Sequence, residues 1–272
     1  MIQWHVRESG EPGAPAVVFL HGAGLSGGMW KDHMERLSAF HCLAPDFPGC
    51  GMSHRLPWTS CVDAADYVAE LIATRVSAGR ARIVGISLGG AVAHTLLSHH
   101  ADRLDQVITD GAGILPWWGN GPYLLFIATI APFLHTRGVI AALSRSVGGI
   151  PEPDQAEFKR ASRLAFVKSL ADARGTRATW SEARAECPTL LVAGERETAV
   201  RRSNAALAGV MPRAIARYVP ELGHGWLGRR MELHLDMVEA WLTTEESAAG
   251  LAVEGPSPAA VSALLRGLQS AE

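Results

Sequence analysis

The stretch that most restricts how this chain can fold runs from Ala81 to Leu97. Ala81-Arg82-Ile83-Val84-Gly85 suits a short buried strand, and Leu88-Gly89-Gly90-Ala91-Val92-Ala93-His94-Thr95-Leu96-Leu97 reads as a helix. Between them Gly85-Ile86-Ser87-Leu88-Gly89 has the spacing G-x-S-x-G. A strand that turns at once into a helix forces its corner residue into a strained conformation, and glycines two positions to each side let the two elements approach closely. The corner side chain, Ser87, is then held out at the carboxyl end of a sheet, open to a small molecule. The Leu88 N–H stands at the positive end of the helix, where developing negative charge is stabilised.

The same strand–helix rhythm fills the first half of the chain. Val17-Val18-Phe19-Leu20, Cys42-Leu43-Ala44-Pro45-Asp46 and Gln106-Val107-Ile108-Thr109-Asp110 are short strand patterns. From Cys61 to Val76, Val62, Ala65, Val68, Leu71, Ile72 and Val76 recur at helical spacing. Continuous apolar strands separated by amphipathic helices predict an α/β fold, a mostly parallel sheet covered on both faces. The rhythm stops after Ala112 and resumes with Thr189-Leu190-Leu191-Val192-Ala193, a strand from Ala214 to Pro220 and a final helix from about Trp226 to Thr244. Residues 1–112 and 186–246 are therefore expected to form one core. Residues 113–185, helical in pattern, are expected to be an inserted lid. Residues 247–272 form a tail rich in Ala, Ser, Gly and Pro, with a candidate short helix near Ser257-Pro258 presenting Val261, Leu264, Leu265 and Leu268.

Composition removes several function classes. A net charge of −2 over 272 residues supplies no basic field for nucleic acid or an anionic membrane. The four cysteines, Cys42, Cys50, Cys61 and Cys187, have no metal-site spacing and imply no disulfide framework, so reduced thiols in a cytoplasmic protein are expected. The amino terminus, Met1 to Glu8, alternates like a strand and lacks the pattern of a signal peptide. The most apolar run, Tyr123 to Leu134, contains Pro132 and is too short to span a bilayer. A soluble protein acting on a small molecule is the expectation, with its oligomeric state open.

A serine hydroxyl is a weak nucleophile at neutral pH and needs an adjacent base. Of the eleven histidines, His224 has the right setting, in Pro220-Glu221-Leu222-Gly223-His224-Gly225-Trp226, a loop after the last strand pattern. The imidazole in turn needs a carboxylate to set its tautomer. Glu197, in the loop after Leu191-Val192-Ala193, is the favoured candidate, with Glu195 two residues earlier and Asp110 at another strand end as the rival acid. His21-Gly22-Ala23-Gly24 follows the strand Val17 to Leu20, and its small residues let backbone approach a ligand. The Ala23 N–H can pair with that of Leu88 as an oxyanion hole, and Gly24 is expected beside the substrate. No phosphate-loop motif is present.

Taken together, these pieces resemble the α/β-hydrolase superfamily, in its serine branch with a helical cap. The matching residues are His21-Gly22-Ala23-Gly24 with Trp30, Asp46-Phe47-Pro48-Gly49-Cys50-Gly51-Met52-Ser53, Gly85 to Gly90, Pro188 to Gly194, and Gly223-His224, over about residues 12–245. The order Ser, acid, His is that family's. The resemblance implies a structural role for the Asp46 loop and none in catalysis. It departs at Glu197, where the family usually has Asp, and the extra methylene keeps Asp110 open as the acid. It implies ester hydrolysis through an acyl-enzyme without metal or cofactor. Carbon–carbon bond hydrolysis, lactone opening and thioester cleavage are alternatives on the same residues; a slow-turnover receptor is the alternative of another class. Dehalogenases and epoxide hydrolases carry an aspartate where Ser87 stands. Carbon–carbon hydrolases usually carry Trp directly after the histidine, whereas Gly225 intervenes here. Trp117, Trp118 and Trp226 are expected to line an apolar pocket.

Overall fold

Strands without a polar face must be covered on both sides, and the sheet satisfies this with helices above and below. In the computed structural model, residues 3–113, 125, 127–146, 156, 158–173, 186–209, 211–243 and 269–270 are described. The strands are β1 (Val6–Ser9), β2 (Ala16–Leu20), β3 (His41–Pro45), β4 (Ala81–Ile86), β5 (Leu104–Asp110), β6 (Thr189–Gly194), β7 (Ala214–Val219) and β8 (Gln269–Ser270). Their order across the sheet is β1-β3-β2-β4-β5-β6-β7-β8. Strands β2 to β7 are mutually parallel, and β1 and β8 pair antiparallel at the two edges. Every residue of β2, β3, β4 and β6 is buried, as the continuous apolar runs require.

The helices are α1 (Lys31–Arg36), α2 (Cys61–Arg75), α3 (Leu88–His99), α4 (Arg137–Ser146), α5 (Arg163–Ala173), α6 (Thr198–Ala208), α7 (Trp226–Arg229) and α8 (Met231–Leu242). Side chains alternate across each strand, so β2 sends Val18 and Leu20 to one face and Val17 and Phe19 to the other. The first pair packs with Val68 and Ile72 of α2 and Val92 and Leu96 of α3. The second packs with Met34 of α1 and Val238 and Trp241 of α8. Ser60 caps α2 by accepting the Asp63 N–H at 3.0 Å.

The connection from β2 leads outward to β3, whereas the chain after β3 returns to the other side of β2 and continues through β4. This reversal opens a crevice at the carboxyl ends of β2 and β4, where open α/β sheets bind ligands. Between β5 and β6, the described residues form α4, α5 and a short 3-10 turn at Ala131–Phe133. Ile127, Leu134, Ile140, Phe158 and Phe166 make a small apolar core of their own, against which Ala23 and Leu25 pack. On α5, Asp172 accepts the Cys61 N–H at the start of α2, and this ties the segment to the main body.

Four elements differ from the sequence expectation. The final helix is broken at Arg230 (φ −134°, ψ 51°) into α7 and α8, and Trp226 and the buried side chains of α8 share one core cluster. Helices α1 and α6 carry too few periodic positions to stand out. Gln269 and Ser270 pair with β7, while the candidate tail helix lies outside the described residues. Among the described residues no helix is long and apolar enough to cross a membrane.

The β4–α3 corner is closely packed. A Cβ on Gly89 would lie 2.1 Å from the Leu20 carbonyl oxygen, and one on Gly85 would lie 2.4 Å from that of Gly89. Both obstacles are backbone and cannot rotate away. Gly89→Ala is expected to lose at least about 1–3 kcal/mol in urea unfolding. Gly13→Ala, where a Cβ meets nothing within 4 Å, should stay within about 0.5 kcal/mol of wild type.

Candidate active site

Ser87 has φ 55° and ψ −111°, a conformation that a residue with a side chain adopts at a cost of about 1–3 kcal/mol. Its backbone is held on both sides. The Ser87 N–H donates to the Asp110 carbonyl at 2.8 Å, and its carbonyl accepts the Ala91 N–H at 3.0 Å. The side chain is left partly exposed above the sheet.

Since β6 and β7 are parallel neighbours, the loops after them rise side by side. They are laced together: Glu195 N–H donates to Val219 O at 2.9 Å, Arg196 N–H to Leu222 O at 2.9 Å, and Glu221 N–H to the Glu195 carboxylate at 2.6 Å. Glu195 is thereby committed to holding Glu221, itself at φ 62°. Glu197 folds back on its own turn, with Oε2 accepting the Gly194 N–H at 2.7 Å. This absorbs the extra methylene and leaves Oε1 at 2.7 Å from His224 Nδ1. His224 Nε2 lies 3.0 Å from Ser87 Oγ. With the carboxylate accepting from Nδ1–H, Nε2 is the acceptor facing the hydroxyl.

Asp110 sits close to this row but points elsewhere. Its Oδ1 accepts the Trp226 indole N–H at 2.8 Å, and both residues are buried. The next residue, Gly111 (φ 62°), is where a Cβ would stand 2.8 Å from His224 Nδ1, so the missing side chain makes room for the imidazole. Burial, reinforced by the nearby Glu197 charge and opposed by the Trp226 bond, pushes the Asp110 carboxyl up to about 8. Beyond it, His234 Nε2 lies 3.9 Å from Asp110 Oδ2, and His234 Nδ1 lies 2.8 Å from His33 Nε2. Burial holds His33 down to about 3 and His234 well below the usual imidazole range.

The loop after β2 is braced by His21, a residue to which sequence reasoning gave no role. Its Nε2 accepts the Phe47 N–H at 2.9 Å, so Nδ1 carries the proton and donates to the Gly22 carbonyl at 2.8 Å. Leu25 N–H donates to the same carbonyl at 3.2 Å. A trans peptide points its C=O and N–H in opposite directions, so this fixes the Ala23 N–H facing away from His21. Gly22 lies against Ser87, 3.7 Å separating a Cβ placed there from Ser87 Cβ. Leu88, as the first residue of α3, has an N–H outside the helical ladder. Asp46 is buried and accepts from Arg7 at 2.6 Å, Gly27 N–H at 2.8 Å and Met52 N–H at 2.8 Å, which shapes the neighbouring loop. The signal for His21 was its place at a strand end beside two small residues, but only the Phe47 contact gives it a function.

Two expectations for substrate contact are corrected. Trp226 is 1% exposed and turned under the sheet toward Asp110, so it presents no face to a ligand. Gly24 (φ 76°) is covered by Phe158, whose ring would be 2.4 Å from a Cβ there. Trp117 and Trp118 lie outside the described residues. Among the described residues no group of three or more His, Cys, Asp or Glu side chains is arranged to hold a metal ion.

The model of the alpha/beta hydrolase family matches residues 17–234 of this chain. The chain belongs to that family. It is 27% identical over 256 residues to an AB hydrolase superfamily protein of Gibberella zeae, covering 90% of this chain and 86% of that one. Over 143 residues it is 32% identical to the pimeloyl-[acyl-carrier protein] methyl ester esterase of Vibrio vulnificus. That match covers 50% of this hydrolase and spans 52% of the esterase. Among solved structures, MenH from S. aureus has a TM-score of 0.73 at 19% identity, covering 90% of this chain and 99% of that one, a likeness of fold.

Two stability outcomes follow from the site. Ser87→Gly relieves about 1–3 kcal/mol of strain against about 0.5–1 kcal/mol of added chain entropy, so thermal unfolding should move upward although the hydroxyl is lost. The second concerns pH. The Asp110 carboxyl is raised, so its contribution to stability is complete below about pH 3.8 and is lost as pH rises through about 8. His21 and His94, both lowered to about 4 by burial, and His33, lowered to about 3, act in the opposite sense. Their contribution is complete above pH 6.5 and is lost as pH falls toward 4. Denaturant unfolding between about pH 6.5 and 8.5 should therefore show wild type weakening with rising pH, and Asp110→Asn much less so.

Proposed function

We propose that this hydrolase cleaves carboxylic esters of small, apolar substrates through an acyl-enzyme on Ser87. The observation that carries the reading is the unbroken row from Glu197 Oε1 to His224 Nδ1 at 2.7 Å and from His224 Nε2 to Ser87 Oγ at 3.0 Å. Ser87 Oγ attacks the ester carbonyl and gives its proton to His224 Nε2. The carbonyl oxygen becomes an anion, held by the N–H groups of Ala23 and Leu88. His224 then protonates the departing alcohol, and a water molecule, deprotonated by the same imidazole, releases the acid. Glu197 keeps the imidazole in its tautomer and offsets its positive charge. Asp110, turned to Trp226, is not assigned the acid's role.

The substrate class rests on two supports. Residues 113–185 are read as a lid, and the apolar cluster of Ile127, Leu134, Phe158 and Phe166 reaches Ala23 in the loop assigned to the oxyanion hole. The methyl ester esterase of Vibrio vulnificus, similar over half its length, favours ester cleavage. The protein is taken to be cytoplasmic and to work without metal or cofactor.

A panel of p-nitrophenyl esters graded by acyl length, with a lactone and a thioester beside it, tests the reading. Ser87→Ala should lower kcat by on the order of 10⁶ and Glu197→Gln by about 10⁴, as when the equivalent acid is neutralised elsewhere. Ser87→Ala hydrolysing at near wild-type rate would end the proposal. Stoichiometric labelling by a fluorophosphonate with negligible turnover of every substrate would point to a receptor instead.

A further inference from the structure

The Asp110 carboxyl is unused by the hydrolytic steps, yet the residue is bonded both to Ser87 and to the segment that follows His224. Its backbone carbonyl holds the Ser87 N–H at 2.8 Å. Its side chain holds the Trp226 indole at 2.8 Å, and Trp226 is two residues beyond His224. The Trp226 backbone N–H donates to Gly223 O at 3.1 Å, closing the turn that carries the imidazole. Behind the indole, the His234 ring packs at 5.1 Å between centroids, and His33 is hydrogen-bonded to His234.

Hydrogen bonds to the loop after β6 hold the turn as far as Leu222. His224 stands between Gly223 and Gly225, and Glu221 before them is at φ 62°. The imidazole is partly exposed, its side chain at 40%. Trp226, by contrast, is wholly enclosed, and its one polar atom is matched to one buried acceptor. A general base works only within about 2.6–3.2 Å of the proton it takes. On the far side of the turn stands the buried bond between β5 and the indole.

We propose that Asp110 is a positioning residue for the hydrolytic reaction, setting His224 on Ser87 through its hydrogen bond to the Trp226 indole. The proposal rests on the assignment of His224 as the base of Ser87. It differs from a role as the acid, since the bond and not the charge carries the effect. The groups facing the Asp110 carboxyl are Glu197, His224 and His234. Asn at this position keeps an oxygen for the indole N–H and turns an N–H toward His234 Nε2, which has no hydrogen-bond partner among the described residues.

The test is kcat and KM on a p-nitrophenyl ester for Asp110→Ala, Trp226→Phe and Asp110→Asn, with competent sites counted by fluorophosphonate titration. Counting sites removes unfolded molecules from the comparison. Asp110→Ala and Trp226→Phe should lower kcat per titrated site by about 10–100-fold, the scale of a misplaced catalytic group, with KM changed less than about threefold. Asp110→Asn should recover kcat to within about threefold of wild type. Trp226→Phe keeps most of the ring's bulk and decides the matter if Asp110→Ala does not fold. A kcat per site within twofold of wild type for Trp226→Phe would overturn the proposal, as would Asp110→Asn falling as far as Asp110→Ala. Ser87→Ala run alongside reads the underlying assignment separately: retained turnover there sinks that assignment, whatever the Asp110 variants do.

Discussion

At Ser87 the backbone leaves β4 and enters α3 with no loop between them. A φ of 55° at a residue bearing a side chain persists only because the surroundings leave no alternative. Gly85 and Gly89 bring strand and helix so close that a single methyl group at either would strike backbone oxygen. The Asp110 carbonyl holds the corner from the neighbouring strand. The strain is offset by burial of β4 on both faces, and its result is a hydroxyl raised above the sheet at the positive end of a helix.

Everything else in the site is placed relative to that corner by the parallel sheet. Reading across the strands, the end of β2 leads to the loop with Ala23, β4 to Ser87, β5 to Asp110 and Gly111, β6 to Glu197, and β7 to His224. Groups 137 residues apart in the chain meet at 3.0 Å because adjacent parallel strands end at the same height. Each position between them is kept clear or filled as needed. Gly111 yields space to the imidazole, and Asp110 takes the indole that steadies the turn.

The two carboxyl groups near His224 illustrate how environment divides labour. Glu197, on a turn with its side chain 9% exposed, has a backbone N–H on one oxygen and the imidazole on the other. Asp110, fully enclosed and close to the Glu197 charge, is pushed toward its protonated form. Two neighbouring carboxylates cannot both be charged cheaply in a buried setting, and the more solvated one is the one bonded to the imidazole.

Local chemistry determined much of this protein from its sequence alone. Continuous apolar strands, amphipathic helices and the glycines around Ser87 are patterns of neighbours a few residues apart, and they specify a parallel α/β sheet with a strained corner. Which carboxylate meets His224 was legible only as a preference for Glu197, because Glu197 and Asp110 both stand at strand ends and are told apart by where their side chains turn. Trp226, adjacent to the histidine loop, reads as a ligand contact, yet it is buried with its indole N–H bonded to Asp110. The bracing role of His21 depends on Phe47, 26 residues away. Side-chain direction is set by contacts across the sheet, whose energies are pooled over distant strands. Periodicity records which face a residue occupies, and only the tertiary structure decides what it meets there.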